Sequence, residues 1–122
     1  MAMVKGLVPM AYVGSVPRAI EFYRKLGFAV RNTFTPPGQY EFSWAWLESG
    51  AANLMVSRAS EPVVASQQAV LFYLYADDVQ AFHAKLELQG VAVGEIEDPF
   101  YSPRGEFRVT DPDGYVLIVS HT

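Results

Sequence analysis

This chain writes the same local sentence twice, 63 residues apart, and that repetition narrows its possible folds more than any other feature. The first copy opens with the apolar run Leu7-Val8-Pro9-Met10-Ala11-Tyr12-Val13. Ser15 follows as a helix cap, and Val16, Ala19, Ile20, Tyr23 and Leu26 recur at helical spacing before Gly27. The second copy opens with Val70-Leu71-Phe72-Tyr73-Leu74-Tyr75-Ala76. Asp78 takes the capping place, Val79, Phe82 and Leu86 form the stripe, and Gly90 closes it. Even the exits correspond, Phe28-Ala29-Val30 against Val91-Ala92-Val93. A glycine at each helix end supplies the left-handed conformation that stops a helix.

The second halves of the copies match as well. Glu41-Phe42 opens a strand that turns at Glu48-Ser49-Gly50 and returns through Asn53-Leu54-Met55-Val56-Ser57. Glu106-Phe107 opens one that turns at Asp111-Pro112-Asp113-Gly114 and returns through Val116-Leu117-Ile118-Val119-Ser120. Each copy therefore reads strand, helix, strand, strand, strand. The expected organisation is one α+β domain over residues 1–122, with module one at 4–57, a polar linker at 58–68 and module two at 69–122. Half of the chain (51%) is apolar, enough for a real core at 122 residues.

Composition removes several function classes. The absence of Cys excludes disulfides, thiolate nucleophiles and cysteine metal sites. A net charge of −4 with scattered Lys and Arg gives no footprint for nucleic acid. No apolar run reaches the ~20 residues of a membrane helix, and residues 1–6 lack a signal-peptide pattern, so a cytoplasmic protein is expected.

The blocks Met10-Ala11-Tyr12-Val13, Ala19-Ile20-Glu21-Phe22-Tyr23, Leu26-Gly27-Phe28, and Glu106-Phe107 through Asp111-Pro112-Asp113-Gly114 resemble the vicinal oxygen chelate superfamily. That superfamily includes glyoxalase I, extradiol dioxygenases and bleomycin-resistance proteins, and the resemblance is strongest to the last of these. It implies two β-α-β-β-β modules that form a curved mixed sheet around a concave cavity, often completed by a second subunit. Its metal-using branches bind a divalent ion through four side chains, and the family pattern lands these on Val8, Leu54, Leu71 and Ile118. All four are aliphatic and have no lone pair to donate. Sliding the register by one residue offers Asn53 or Met55, and Leu117 or Val119, and one amide is not a site. No metal and no cofactor are expected. Of the two histidines, His83 falls inside the second helix and reads as structural, and His121 lies beside the C-terminus.

If those positions are aliphatic, the concave face is apolar. Strand alternation adds Met10 and Tyr12 in module one and Tyr73 and Tyr75 beside Leu71 in module two. The strand from Tyr40 to Leu47 presents either Phe42, Trp44 and Trp46 or Ser43 and Ala45, depending on register. Phe34, Phe100 and Tyr101 flank the region. Arg104 either reaches a ligand carboxylate or pairs with Glu106, and Glu95, Glu97 and Asp98 form an acidic run. The candidate ligand-binding set is thus Met10, Tyr12, Phe42, Trp44, Trp46, Leu54, Leu71, Tyr73, Tyr75, Phe100, Tyr101, Arg104 and Ile118, with no catalytic residue. Such a set suits a planar ligand, neutral or cationic, held without chemistry by a homodimer. The alternative is a glyoxalase- or dioxygenase-like enzyme with a metal-free or atypical site. Tyr12, Tyr73, Glu41 and His83 are its acid–base candidates, and no two of them form a recognisable pair by spacing.

Overall fold

The computed structural model describes residues 3–122, so the first two residues of the 1–6 stretch lie outside it. The chain divides into two compact units, one ending at Val63 and the other spanning Val64–Thr122. The division falls inside the polar stretch 58–68.

The first unit runs β1 (Met10–Val13), α1 (Val16–Lys25), β2 (Ala29–Phe34), β3 (Trp44–Ser49) and β4 (Ala52–Arg58). Its sheet has the order β1-β4-β3-β2, with β1 parallel to β4 and the other pairs antiparallel. The Ser15 hydroxyl caps α1 by accepting from the Arg18 N–H at 3.3 Å, and a proline in the first turn wastes no hydrogen bond. At the other end Gly27, at φ 97°, lets Phe28 N–H return to the Tyr23 carbonyl at 3.0 Å. Val16, Ala19, Ile20 and Tyr23 of α1 are buried, as are Ala11 and Val13 of β1, Ala45 and Leu47 of β3, and Leu54 and Val56 of β4. The helix covers one side of the sheet. Tyr23 locks this layer by meeting Phe22 and Phe28 edge-on at 5.1 and 5.7 Å.

The second unit repeats the plan with β5 (Leu71–Ala76), α2 (Val79–Leu88), β6 (Glu106–Thr110) and β7 (Val116–His121). Its sheet order is β5-β7-β6, again with the first strand parallel to the last. Asp78 Oδ1 caps α2 from the Ala81 N–H at 2.9 Å. Phe107 of β6 receives His83 edge-on at 4.9 Å and Phe82 at 6.4 Å, while Val79 and Leu86 are fully buried. His83 Nε2 donates to the Gly94 carbonyl at 2.8 Å, tying the helix to the segment after it. In the turn between β6 and β7, Asp111 Oδ1 accepts from Asp113 N–H and Tyr115 N–H, each at 2.9 Å.

Three expectations change. The strand expected at Val91-Ala92-Val93 is reduced, among the described residues, to isolated bridges at Val93–Val109 and Glu97–Glu106. Four residue steps on one side face three on the other, so an extra residue interrupts the ladder. The first strand begins at Met10 rather than Leu7, because Pro9 has no N–H and offers only its carbonyl, to Met55 N–H at 2.9 Å. The tryptophan strand begins at Trp44 rather than Glu41, after a turn at Gly38 that closes with Gln39 N–H on the Pro36 carbonyl.

Candidate functional site

Each sheet buries one face under its helix, and the other face carries the exposed aromatic side chains. In the first unit the pairing register sets the open face in rows. One row runs Phe34, Trp44, Ser57, Tyr12; the next runs Asn32, Trp46, Met55, Met10. Alternation along the strands puts all eight side chains on the side away from α1. Trp44 and Trp46 therefore face outward together, which settles the open choice in favour of the tryptophans over Ser43 and Ala45. Tyr12, Met10 and Phe34 are roughly half exposed, an arrangement that gives a broad aromatic surface rather than isolated side chains.

The Trp46 ring is held from two sides. Its Nε1–H donates to Asn53 Oδ1 at 2.9 Å, and Asn53 in turn donates through Nδ2 to the Ala51 carbonyl at 3.2 Å. The Arg31 guanidinium lies 4.7 Å from the ring centroid, and its Nε reaches Glu48 Oε2 at 4.0 Å. Neither Asn53 nor Arg31 belongs to the sequence-expected binding set.

In the second unit the rows on the face away from α2 are Leu71, Val116, Thr110; Tyr73, Ile118, Arg108; and Tyr75, Ser120, Glu106, of which Leu71, Tyr73 and Tyr75 are exposed while Ile118, Ser120 and Glu106 are buried. Tyr73 and Tyr75 lie with ring centroids 6.3 Å apart. Partial burial, then the negative charge of Glu106, push the Tyr73 phenol above its ordinary value of 10.0. Ser102 Oγ donates to the Gly105 carbonyl at 3.2 Å and pairs with Ser120 Oγ at 2.8 Å.

The remaining expected residues fall in different places. Leu54 pairs with Leu47 and is 5% exposed, on the helix-facing side of β4. Its neighbour Met55 takes the open position. The sheet registers explain why: Met10 pairs with Met55 and Tyr73 pairs with Ile118, so Ile118 corresponds to Met55 at the 63-residue offset. The spacing from the turn differs between the units: Met55 lies five residues after Gly50, whereas Ile118 lies four after Gly114. Phe42 precedes β3 and is partly exposed. Phe100 and Tyr101 meet edge-on at 5.3 Å in an exposed turn, and Phe100 is 94% exposed. Arg104 turns to the chain end, donating from Nη1 to the Thr122 carbonyl at 3.4 Å, while His121 Nδ1 donates to the same carbonyl at 2.7 Å.

The donor set can be tested against a divalent ion. Val8, Leu71 and Ile118 offer no lone pair, and Met55 in place of Leu54 adds a single thioether, a soft donor unsuited to a hard cation. The residues do not fit a metal. Among the described residues no three His, Asp or Glu side chains gather to hold one. Among them, too, no helix is long and apolar enough to cross a membrane.

A family model for the glyoxalase/bleomycin resistance protein/dioxygenase superfamily matches residues 7–119. The chain belongs to that superfamily. Solved structures agree on the fold. A bleomycin resistance determinant encoded on a transposon superposes with a TM-score of 0.78 at 17% identity, covering 98% of each chain. TnmS3, an antibiotic-binding protein from a Streptomyces strain, gives 0.75 at 24% identity, over 99% of this chain and 98% of its own. The bleomycin-binding protein of Streptomyces verticillus, complexed with copper(II)-bleomycin, gives 0.73 at 20% identity, over 100% and 99%. No curated protein matches the sequence significantly.

Proposed function

We propose that this protein binds a small planar molecule, neutral or cationic, and holds it without transforming it. The observation that carries this reading is the common outward orientation of Trp44, Trp46 and Tyr12 on one sheet and of Tyr73 and Tyr75 on the other. Aromatic faces with polar edges stack on planar ligands and tolerate variation in them. The donor set gives a superfamily metal no place, and the solved relatives of similar fold include proteins described as binding bleomycin or other antibiotics. Sequestration by mass action requires affinity and abundance, and it asks for no general acid, base or nucleophile.

A second copy of the chain is part of the proposal. Leu71, Tyr73 and Tyr75 are each about half exposed or more, and a two-fold assembly would enclose a ligand against such a surface. Calorimetric titration of metal-stripped protein with bleomycin and other planar cationic antibiotics tests the reading, with light scattering for the assembly state. Saturable, chelator-insensitive binding by a dimer supports it. Stoichiometric metal retained through purification, or turnover of the ligand, would place the protein with the enzymes of the superfamily instead.

A further inference from the structure

Glu106 is an unusual residue to find inside a small domain. It is 7% exposed, and among the described residues its Oε1 is buried and accepts no hydrogen bond. A buried carboxylate oxygen without a donor is costly, so proteins rarely keep one unless something else satisfies it. The hydroxyl directly across the ladder, Ser120, does not. Ser102 donates to the Gly105 carbonyl, which leaves Ser120 to donate to Ser102.

On the other flank the situation is worse for Glu106. Glu97 faces it across the isolated bridge, each N–H donating to the other's carbonyl at 2.8 Å. Residues paired this way project their side chains to the same side of the sheet, so two acidic side chains leave neighbouring backbone positions together, a pairing that like charge disfavours. Around them lies a pocket of about 150 Å³ lined by Gly94, Glu95, Glu97, Glu106, Phe107 and Arg108. Glu95, Glu97 and Glu106 outnumber Arg108 among these residues, so acidic side chains predominate around it. Its volume falls below the ~300 Å³ lower bound for whole-ligand sites. The space suits one end-group.

We propose that this pocket receives the protonated amine of a ligand, with Glu106 as the buried acceptor and Glu97 as the second carboxylate. An ammonium group is compact and carries three N–H donors, so it can satisfy both carboxylates at once. The nearby Tyr73 and Tyr75, on the same open face, would meet the apolar part of that ligand. The inference deepens the ligand-binding reading and rests on it for that apolar part, while the amine site itself stands on Glu106 and Glu97.

The test uses two probes of matched shape, phenethylamine in its protonated form and neutral 2-phenylethanol, titrated by NMR into the full-length nitrogen-15-labelled protein. The amine should shift the backbone amides of Gly94, Glu97 and Phe107 saturably, with affinity about tenfold or more above the alcohol. E106Q should erase that preference, and E97Q should reduce it. Equal affinity for the two probes in the wild type, or an amine preference that survives E106Q, overturns the proposal. The unliganded E106Q protein should melt no lower than the wild type, because the amide keeps the shape of the side chain and replaces a buried acidic group. If E106Q fails to fold, the Glu106 assignment is overturned as structural, and E97Q with the wild-type probe pair still decides the pocket. The indole N–H signals of Trp44 and Trp46 separate the two readings. Indole shifts with a silent pocket leave ligand binding standing and sink the amine site; pocket shifts with silent indoles do the reverse.

Discussion

The indole Nε1–H of Trp46 donates to Asn53 Oδ1 at 2.9 Å across the β3–β4 ladder. With Arg31 against the ring, this bond fixes the plane of the largest side chain on the first open face. A ligand that stacks there meets a surface already ordered, so little rotamer entropy is lost on binding. Asn53→Ala should cost about 1 kcal/mol of stability, the worth of one hydrogen bond. Its larger effect should be on binding: affinity for a planar ligand falls in calorimetry, while Asn53→Asp, which keeps an acceptor, retains most of it.

Leu54 and Met55 are adjacent in sequence and belong to opposite faces. Leu54→Ala should lower stability by about 2–5 kcal/mol in urea unfolding, as for other buried leucines. Its ligand affinity, measured well below the melting range, should stay within error. Met55→Ala should do the opposite, sparing stability and weakening binding.

Gly114 sits at φ 91°, and a methyl group there would run into the backbone of Ala65. Gly114→Ala should therefore destabilise by more than about 1 kcal/mol, since both the conformation and the space are wrong. The comparison is Gly38→Ala, also at positive φ (80°) but with open space around it. That variant should bear the conformational cost alone, and chemical denaturation of the pair isolates the steric part.

Tyr73 gives a pH signature. Its phenol is raised above 10.0 in the folded chain, so the native state holds that proton where the unfolded chain releases it. The associated stability is complete below pH 10 and is lost as pH rises through the folded value. Urea unfolding between pH 9 and 11 should show a steeper decline for the wild type than for Tyr73→Phe. The pH dependence of ligand affinity between pH 6 and 9 should carry no contribution from ionisation of Tyr73.

The parts of this fold that sequence reveals are those fixed by local chemistry. Ser15, Asp78 and Gly27 announce helix ends because capping involves residues three or four positions apart. The repeat itself exposes the module plan. Facing is harder, since a single extra residue in a turn flips every later side chain, as it does between Gly50 and Met55. Trp44 and Trp46 had two possible orientations until pairing with Ser57 and Met55 chose one. Glu106 was the least visible of all: as a charged residue at a strand start it reads as surface, whereas in the fold it is buried between Ser120 of β7 and the bridge to Glu97.

The most direct test of the account is tryptophan fluorescence, since Trp44 and Trp46 are the only tryptophans and both lie on the open face. Metal-stripped protein should show saturable quenching by bleomycin or another planar cationic antibiotic, unchanged by chelator and halved or more in Trp46→Phe. A flat response across the whole panel, or quenching that appears only when a divalent metal is restored, would contradict the claim that this face binds a planar ligand without a metal.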